Sequence, residues 1–89
     1  MIIDGLTARE ARALAILDEQ HGPVTVDALH AAMTRNATWL TLGAVRMTGE
    51  ILAGQQLAAR RADRRYVITE AGREWVRRNR SALDEITRS

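Results

Sequence analysis

The 89-residue chain has no cysteine and no phenylalanine, a single proline, and no lysine among its thirteen basic residues. Without cysteine there is neither a disulfide framework nor a thiolate metal site, which fits a reducing compartment. With aromatic residues at 3% and hydrophobic ones at 46%, a core has to be assembled from Leu, Ile, Val, Ala and Met, a palette that favours helices. No stretch reaches the ~18–20 apolar residues of a membrane span. The opening "MIIDGLTARE" lacks the basic start and the apolar run of about 7–15 residues that mark a secretory signal. The expectation is a soluble, cytoplasmic chain folding as one domain, since single cores usually sit near ~100–200 residues. The exclusive use of arginine carries little weight by itself.

What is there is charge in one place. The formal net charge of +2 divides into −2 for residues 1–59, +5 for residues 60–80 and −1 for the last nine. The middle block holds Arg60, Arg61, Arg64, Arg65, Arg73, Arg77, Arg78 and Arg80 against Asp63, Glu70 and Glu74. Basic residues gathered on one element are the electrostatic footprint of phosphate binding. For Arg73, Arg77 and Arg80, spaced as one helix face, a solvated surface is an equal reading.

The pattern predicts four helices and one hairpin. Thr7 with Glu10 forms a capping box, and Ala13, Leu14, Ile16 and Leu17 supply the apolar stripe of the first helix. "HGP" ends it, with Gly22 in the C-cap region and Pro23 behind. Thr25 caps a second helix whose Val26, Leu29 and Met33 share a face, and Asp27 suits its first turn. After the polar break "TRNATW", a third helix runs from about Leu42 to Gln55. "LAARRADRRYVIT" reads as two short strands around a turn at Ala62-Asp63. Thr69 caps a last helix that carries Trp75, Val76, Leu83 and Ile86.

Helix, helix, turn, helix, hairpin, helix is the order of a winged helix-turn-helix, in which the third helix enters the major groove and the hairpin lies along the backbone. The fold expectation is thus mainly α with a small β-hairpin: about four helices plus a two-stranded wing. The helix-turn-helix would span about 25–56, the wing about 57–69 and a C-terminal helix about 70–87. The stretches "LTLGAV", "LAAR" and "RRYVITEAG" resemble PadR-type winged-helix transcriptional repressors, over roughly residues 6–78. In that family a Ser/Thr-apolar-Gly-Ala-aliphatic start opens the recognition helix and Tyr-x-Leu/Ile-Thr-x-x-Gly closes the wing, a motif shared with MarR-like repressors. The resemblance implies Thr41 at the recognition-helix N-terminus, where its hydroxyl and nearby amides meet a phosphate. It implies Gly43 and Ala44 as small residues letting the backbone approach the groove. Arg46 stands where the family usually has a Tyr pointed at DNA, and Arg60, Arg61, Arg64 and Arg65 fall on the wing. Tyr66 and Ile68 are packing residues in this reading. Gly49 replaces a usual Leu and Gln56 a usual Gly, with loss of core volume and of a turn residue. One helix follows the wing where many family members carry a longer dimerisation region, the part on which an effector pocket would depend.

A helical wheel checks the third helix independently. At ~100° per residue, Leu42, Gly49 and Leu52 fall within about 60° of Val45, while Gly43, Met47, Glu50 and Gly54 fall opposite and Arg46 flanks. Met47 either touches a thymine methyl or tucks against the helix-two turn. Arg46 contacts a base, as a bidentate partner of guanine O6/N7, or a phosphate. Glu50 either accepts from cytosine N4 or pairs with Arg46 one turn back.

Residues that suggest chemistry do not assemble. His21 belongs to a helix end, and His30 reads as a half-buried, hydrogen-bonded side chain. Two histidines nine residues apart, with no cysteine, make no metal motif. Ser81 and Ser89 are the only serines and lie near the C-terminus. Asp18-Glu19 and Asp84-Glu85 are adjacent pairs, which diverge by about 100° on a helix. Trp39 and Trp75 read as core or interface anchors. No enzyme and no cofactor are expected. The first reading is a regulator, most simply a repressor, that binds double-stranded DNA as a homodimer and is nucleoid-associated when bound. Its seam would use Leu14 and Ile16 with Trp75, Val76, Leu83 and Ile86, unless the last helix folds back on the first. The second is a winged-helix interaction module, a small phage or accessory factor docking on another protein, which the modest net charge and Glu50 favour.

Overall fold

A computed structural model describes residues 2–35 and 40–88, with side chains described for all of these except Thr87 and Arg88. Trp39 and most of the expected polar break lie outside the described residues. Four helices begin on a threonine whose hydroxyl accepts from the amide three residues on: Thr7 for α1 (Ala8–Glu19), Thr25 for α2 (Val26–Met33), Thr41 for α3 (Leu42–Gly54) and Thr69 for α4 (Glu70–Arg78). Each hydroxyl satisfies one of the amides that a helix start leaves without a partner. The Thr7 box is complete, its amide donating to Glu10 at 3.0 Å and the Glu10 amide to Thr7 Oγ1 at 3.2 Å. At the end of α1 the left-handed residue is His21 (φ 56°), not the expected Gly22.

The chain is mainly helical, with five helices and two small antiparallel sheets among the described residues. The expectation of four helices and one hairpin fails at both ends. At the start, β1 (Ile2–Ile3) pairs with β2 (Leu6–Thr7) around Asp4-Gly5, both at positive φ (48° and 87°). Asp-Gly is the dipeptide that such two-residue turns favour. At the other end, the single helix expected over 70–87 is two, α4 and α5 (Arg80–Arg88), broken at Asn79. The Asn79 side-chain amide donates to the Trp75 carbonyl at 2.9 Å and to the Asp4 carboxylate at 3.0 Å. A side chain that competes in this way for backbone partners ends helices.

That break turns α5 back onto α1, so that the residues expected at a dimer seam take part in the chain's own packing. Leu14, Trp75, Val76 and Leu83 are each at most 3% exposed inside the chain's own core, and Ile16 and Ile86 pack half-buried against it. No helix among the described residues is long and apolar enough to cross a membrane.

Between α3 and α4 lies the expected hairpin, β3 (Ala58–Arg60) paired with β4 (Tyr66–Ile68) so that Arg60 faces Tyr66. Val24, from the α1–α2 connection, bridges to Tyr66, exchanging backbone bonds of 2.7 and 2.8 Å with it. The Tyr66 ring lies on Gly49, where a Cβ would sit 2.9 Å from Tyr66 Cζ. The core volume expected to be lost at Gly49 is therefore filled by the hairpin. Gln56, where a glycine was expected to be useful, does adopt φ 64°. Thr69 Oγ1 donates to the Gln56 carbonyl at 2.7 Å, and the Thr69 amide donates to Leu57 O at 3.1 Å. Gly72 rests on that same Leu57 carbonyl. The stretch "YVITEAG" thus fastens the hairpin to the end of α3 and the start of α4.

The buried strip of α3 is Val45, Thr48, Gly49 and Leu52. Leu42, expected in that strip, is 46% exposed, and Thr48 takes its place with its hydroxyl donating to the Ala44 carbonyl at 2.8 Å. The hydroxyl back-bond satisfies the polar atom, which makes burial of Thr48 affordable.

Candidate nucleic-acid interface

The exposed arc of α3 has two edges of different chemistry. Leu42, Gly43 and Arg46 turn toward the hairpin and line a cleft of about 550 Å³. Thr25, Val26 and Asp27 at the start of α2 form one wall, and Arg60, Asp63, Arg64 and Tyr66 of the hairpin form the other. Met47 and Ala44 lie on the opposite edge, with Thr48 and Ile51, in a second groove of about 590 Å³ bounded by Ile2 and the start of α1. Of the residues expected to meet DNA on α3, Gly43 and Arg46 are brought together with Arg60 and Arg64 of the hairpin, whereas Arg61 and Arg65 do not line the cleft. Met47 (66% exposed) and half-buried Ala44 do not line it either.

Thr41 caps α3 with an Oγ1 contact of 3.1 Å from the Ala44 amide. A Cβ added at Gly43 would meet nothing within 4 Å, so the backbone there is bare toward the cleft. His30 ties the end of α2 to the start of α3: its Nε2 faces the Leu40 carbonyl at 2.8 Å, and since a carbonyl only accepts, that nitrogen carries the proton.

The hairpin loop shows why arginines project from it. Arg64 N donates to Arg61 O at 3.0 Å and Arg61 N to Arg65 O at 2.8 Å, closing a three-residue loop whose last member, Arg64, takes φ 66°. Glycine is the residue this position favours. An arginine there places a guanidinium at the tip, beside the cleft.

The arginines differ in how much of their charge is already answered. Arg60 Nη1 lies 2.7 Å from Glu50 of α3, and Arg65 Nε lies 3.6 Å from Asp63. Among the described residues no carboxylate forms an ion pair with Arg46, Arg61 or Arg64. The Glu50 pairing with Arg60, rather than with Arg46 as the helix spacing allowed, is a correction. Farther along, Arg77 pairs with Glu74, Arg78 with Asp4 and Arg80 with Asp18. Most of the basic charge on α4 and α5 is therefore answered within the fold.

Two titrating groups report the same geometry. Burial pushes the Tyr66 phenol up, and the neighbouring Glu50 carboxylate adds to that rise against the opposing pull of Arg60 and Arg46. Hydrogen bonds from Asn79 and then Arg78 hold the Asp4 carboxyl below its ordinary value. The Asp4 carbonyl also accepts from Trp75 Nε1 at 3.0 Å. This hub, the Glu50–Arg60 pair and the Ile2–Met47–Ile51 groove escaped the sequence reading, although "IIDGLT" carried the turn signal for the first. No protein-family model matches this chain, and neither a curated protein nor a solved structure matches it.

Proposed function

We propose that this chain is a winged-helix transcriptional regulator of the PadR-like kind, with α3 reading the major groove and the β3–β4 hairpin resting on the phosphate backbone. The observation that carries the reading is the shared cleft, in which Arg46 of α3 and Arg60 and Arg64 of the hairpin line one concave surface. The order of the elements supports it, and so does the Val24 bridge that ties the α1–α2 connection to the hairpin. Arg46 then supplies the base contact, the bidentate partner of guanine O6/N7 being the commonest specific one. Arg64 and Arg61 meet phosphates without regard to sequence. The chain acts as a cytoplasmic homodimer on a palindromic or direct-repeat operator, joined through faces other than the buried Leu14, Trp75, Val76 and Leu83. Selection of bound duplexes from a random pool tests this reading. A recurrent half-site, bound with two chains per duplex, is the expected outcome, and recovery of unenriched DNA rejects it.

A second reading has its own observation. Ile2, Met47 and Ile51 are exposed apolar side chains beside one groove, and apolar surface of this kind marks docking sites on other proteins. In that case the chain is an accessory factor whose α3 faces a protein. Met47→Glu separates the two: it abolishes protein docking, while the DNA reading predicts that Arg46-dependent binding survives.

A further inference from the structure

At the α3–hairpin junction one acid of α3, Glu50, meets an arginine of the hairpin. Glu50 lies on the exposed arc of α3, one turn after Arg46, and reaches across to Arg60 at 2.7 Å. Its position is set by packing: the Tyr66 ring lies against Gly49, and Tyr66 faces Arg60 across the hairpin. Carboxylate and guanidinium are thus delivered to the same point by the adjoining residues of two rigid elements. Both side chains remain about half exposed (51% for Arg60 and 42% for Glu50). An ion pair this open to water contributes little to stability. Its effect falls instead on what Arg60 is free to do.

We infer that Glu50 is a specificity-determining residue that acts by withholding Arg60 from sequence-blind phosphate contact. The inference rests on the DNA reading and deepens it. A free arginine on the hairpin would strengthen binding to every duplex alike, because phosphate contact carries no sequence information. Pairing it with Glu50 removes that contribution and leaves a carboxylate on the approach surface, which repels phosphate oxygens. The same carboxylate rejects the acceptor edge of guanine and tolerates the cytosine N4 donor. Discrimination is a difference of affinities, and a repulsive element that penalises the wrong partner raises it.

The experiment compares wild type, Glu50→Gln and the double variant Glu50→Gln/Arg60→Ala on the selected duplex and on random DNA across a salt series. All of these substitutions fall on exposed side chains, and circular dichroism verifies the fold. Glu50→Gln is expected to tighten random DNA more than the selected site and so lower the ratio between them. Its plot of log K against log salt on random DNA should steepen by about 0.9, the increment of one phosphate contact. The double variant should return that slope to the wild-type value or below. If Glu50→Gln instead weakens both duplexes equally, Glu50 serves to position Arg60 for contact and the inference is overturned. Wild-type binding with no change in Glu50→Gln overturns it alone. Absence of wild-type binding to any duplex overturns the DNA reading and this inference together.

Discussion

At Gly72 the backbone leaves no room for a side chain: a Cβ would lie 2.1 Å from the Leu57 carbonyl oxygen, a backbone atom that cannot step aside. Gly49 meets a different obstacle, because its Cβ would approach the far end of the Tyr66 ring at 2.9 Å. Overpacking costs about 1–3 kcal/mol and sometimes more. Both glycines lie in helices, so a gain of about 1 kcal/mol from replacing a helical glycine by alanine offsets part of it at each, and the two differ in whether the obstacle can move. Gly72→Ala is therefore expected to lose more than about 3 kcal/mol of stability in urea unfolding, the upper end of the overpacking range, and Gly49→Ala no more than about half of that. Equal losses would mean that the Tyr66 ring is held as firmly as backbone. The sequence made Gly49 legible as a departure from an expected leucine, but not what fills the gap, because Tyr66 comes from an element seventeen positions on. Gln56 was legible in the same way as a missing turn glycine, and its positive φ follows from where α3 ends.

At the scale of elements, the threonine caps were readable because each lies next to the helix it starts, within a few residues of its partner amide. The N-terminal hairpin was not, since strands of two residues are too short for alternation to register. The break at Asn79 was hidden for a related reason: Val76, Leu83 and Ile86 keep a helical spacing straight through it. What holds both ends together is Asp4, joined to Arg78 at 3.2 Å and to Asn79 at 3.0 Å. Its carboxyl is held below its ordinary value of 3.8, first by the Asn79 hydrogen bond and then by Arg78. A depressed folded value stabilises the charged form, so this contribution is fully present above the unfolded value and is lost as pH falls through the folded one. Asp4→Asn keeps a residue that tolerates the left-handed turn while removing the charge. The variant should be less stable than wild type at pH 7, with the difference shrinking toward pH 2. A difference independent of pH, seen in unfolding curves at both values, would assign the role of Asp4 to the turn rather than to the latch.

Over the whole molecule, the +5 block of residues 60–80 separates into two populations. Arg77, Arg78 and Arg80 find acids, two of which come from the N-terminal part of the chain, whereas Arg61 and Arg64, like Arg46 outside the block, carry no ion pair among the described residues. Sequence reading located the block but not this division, because Asp4 and Arg78 are 74 positions apart. The same limit explains the dimer seam: an apolar stripe on the last helix looks identical whether α1 of its own chain or of another covers it. Met47 illustrates a further limit, since a wheel shows that it points outward but not which of two grooves it enters. The central claim is that α3 reads while the hairpin holds, and one comparison tests it most directly: the affinities of Arg46→Ala and Arg64→Ala for the selected duplex and for random DNA, over a range of salt. Arg64→Ala should weaken both duplexes alike and flatten the plot of log K against log salt by about 0.9. Arg46→Ala should cost roughly 1–3 kcal/mol on the selected duplex, far less on random DNA, and relax preference at one base position per half-site. A uniform loss for Arg46→Ala, together with an unchanged salt slope for Arg64→Ala, would contradict the account.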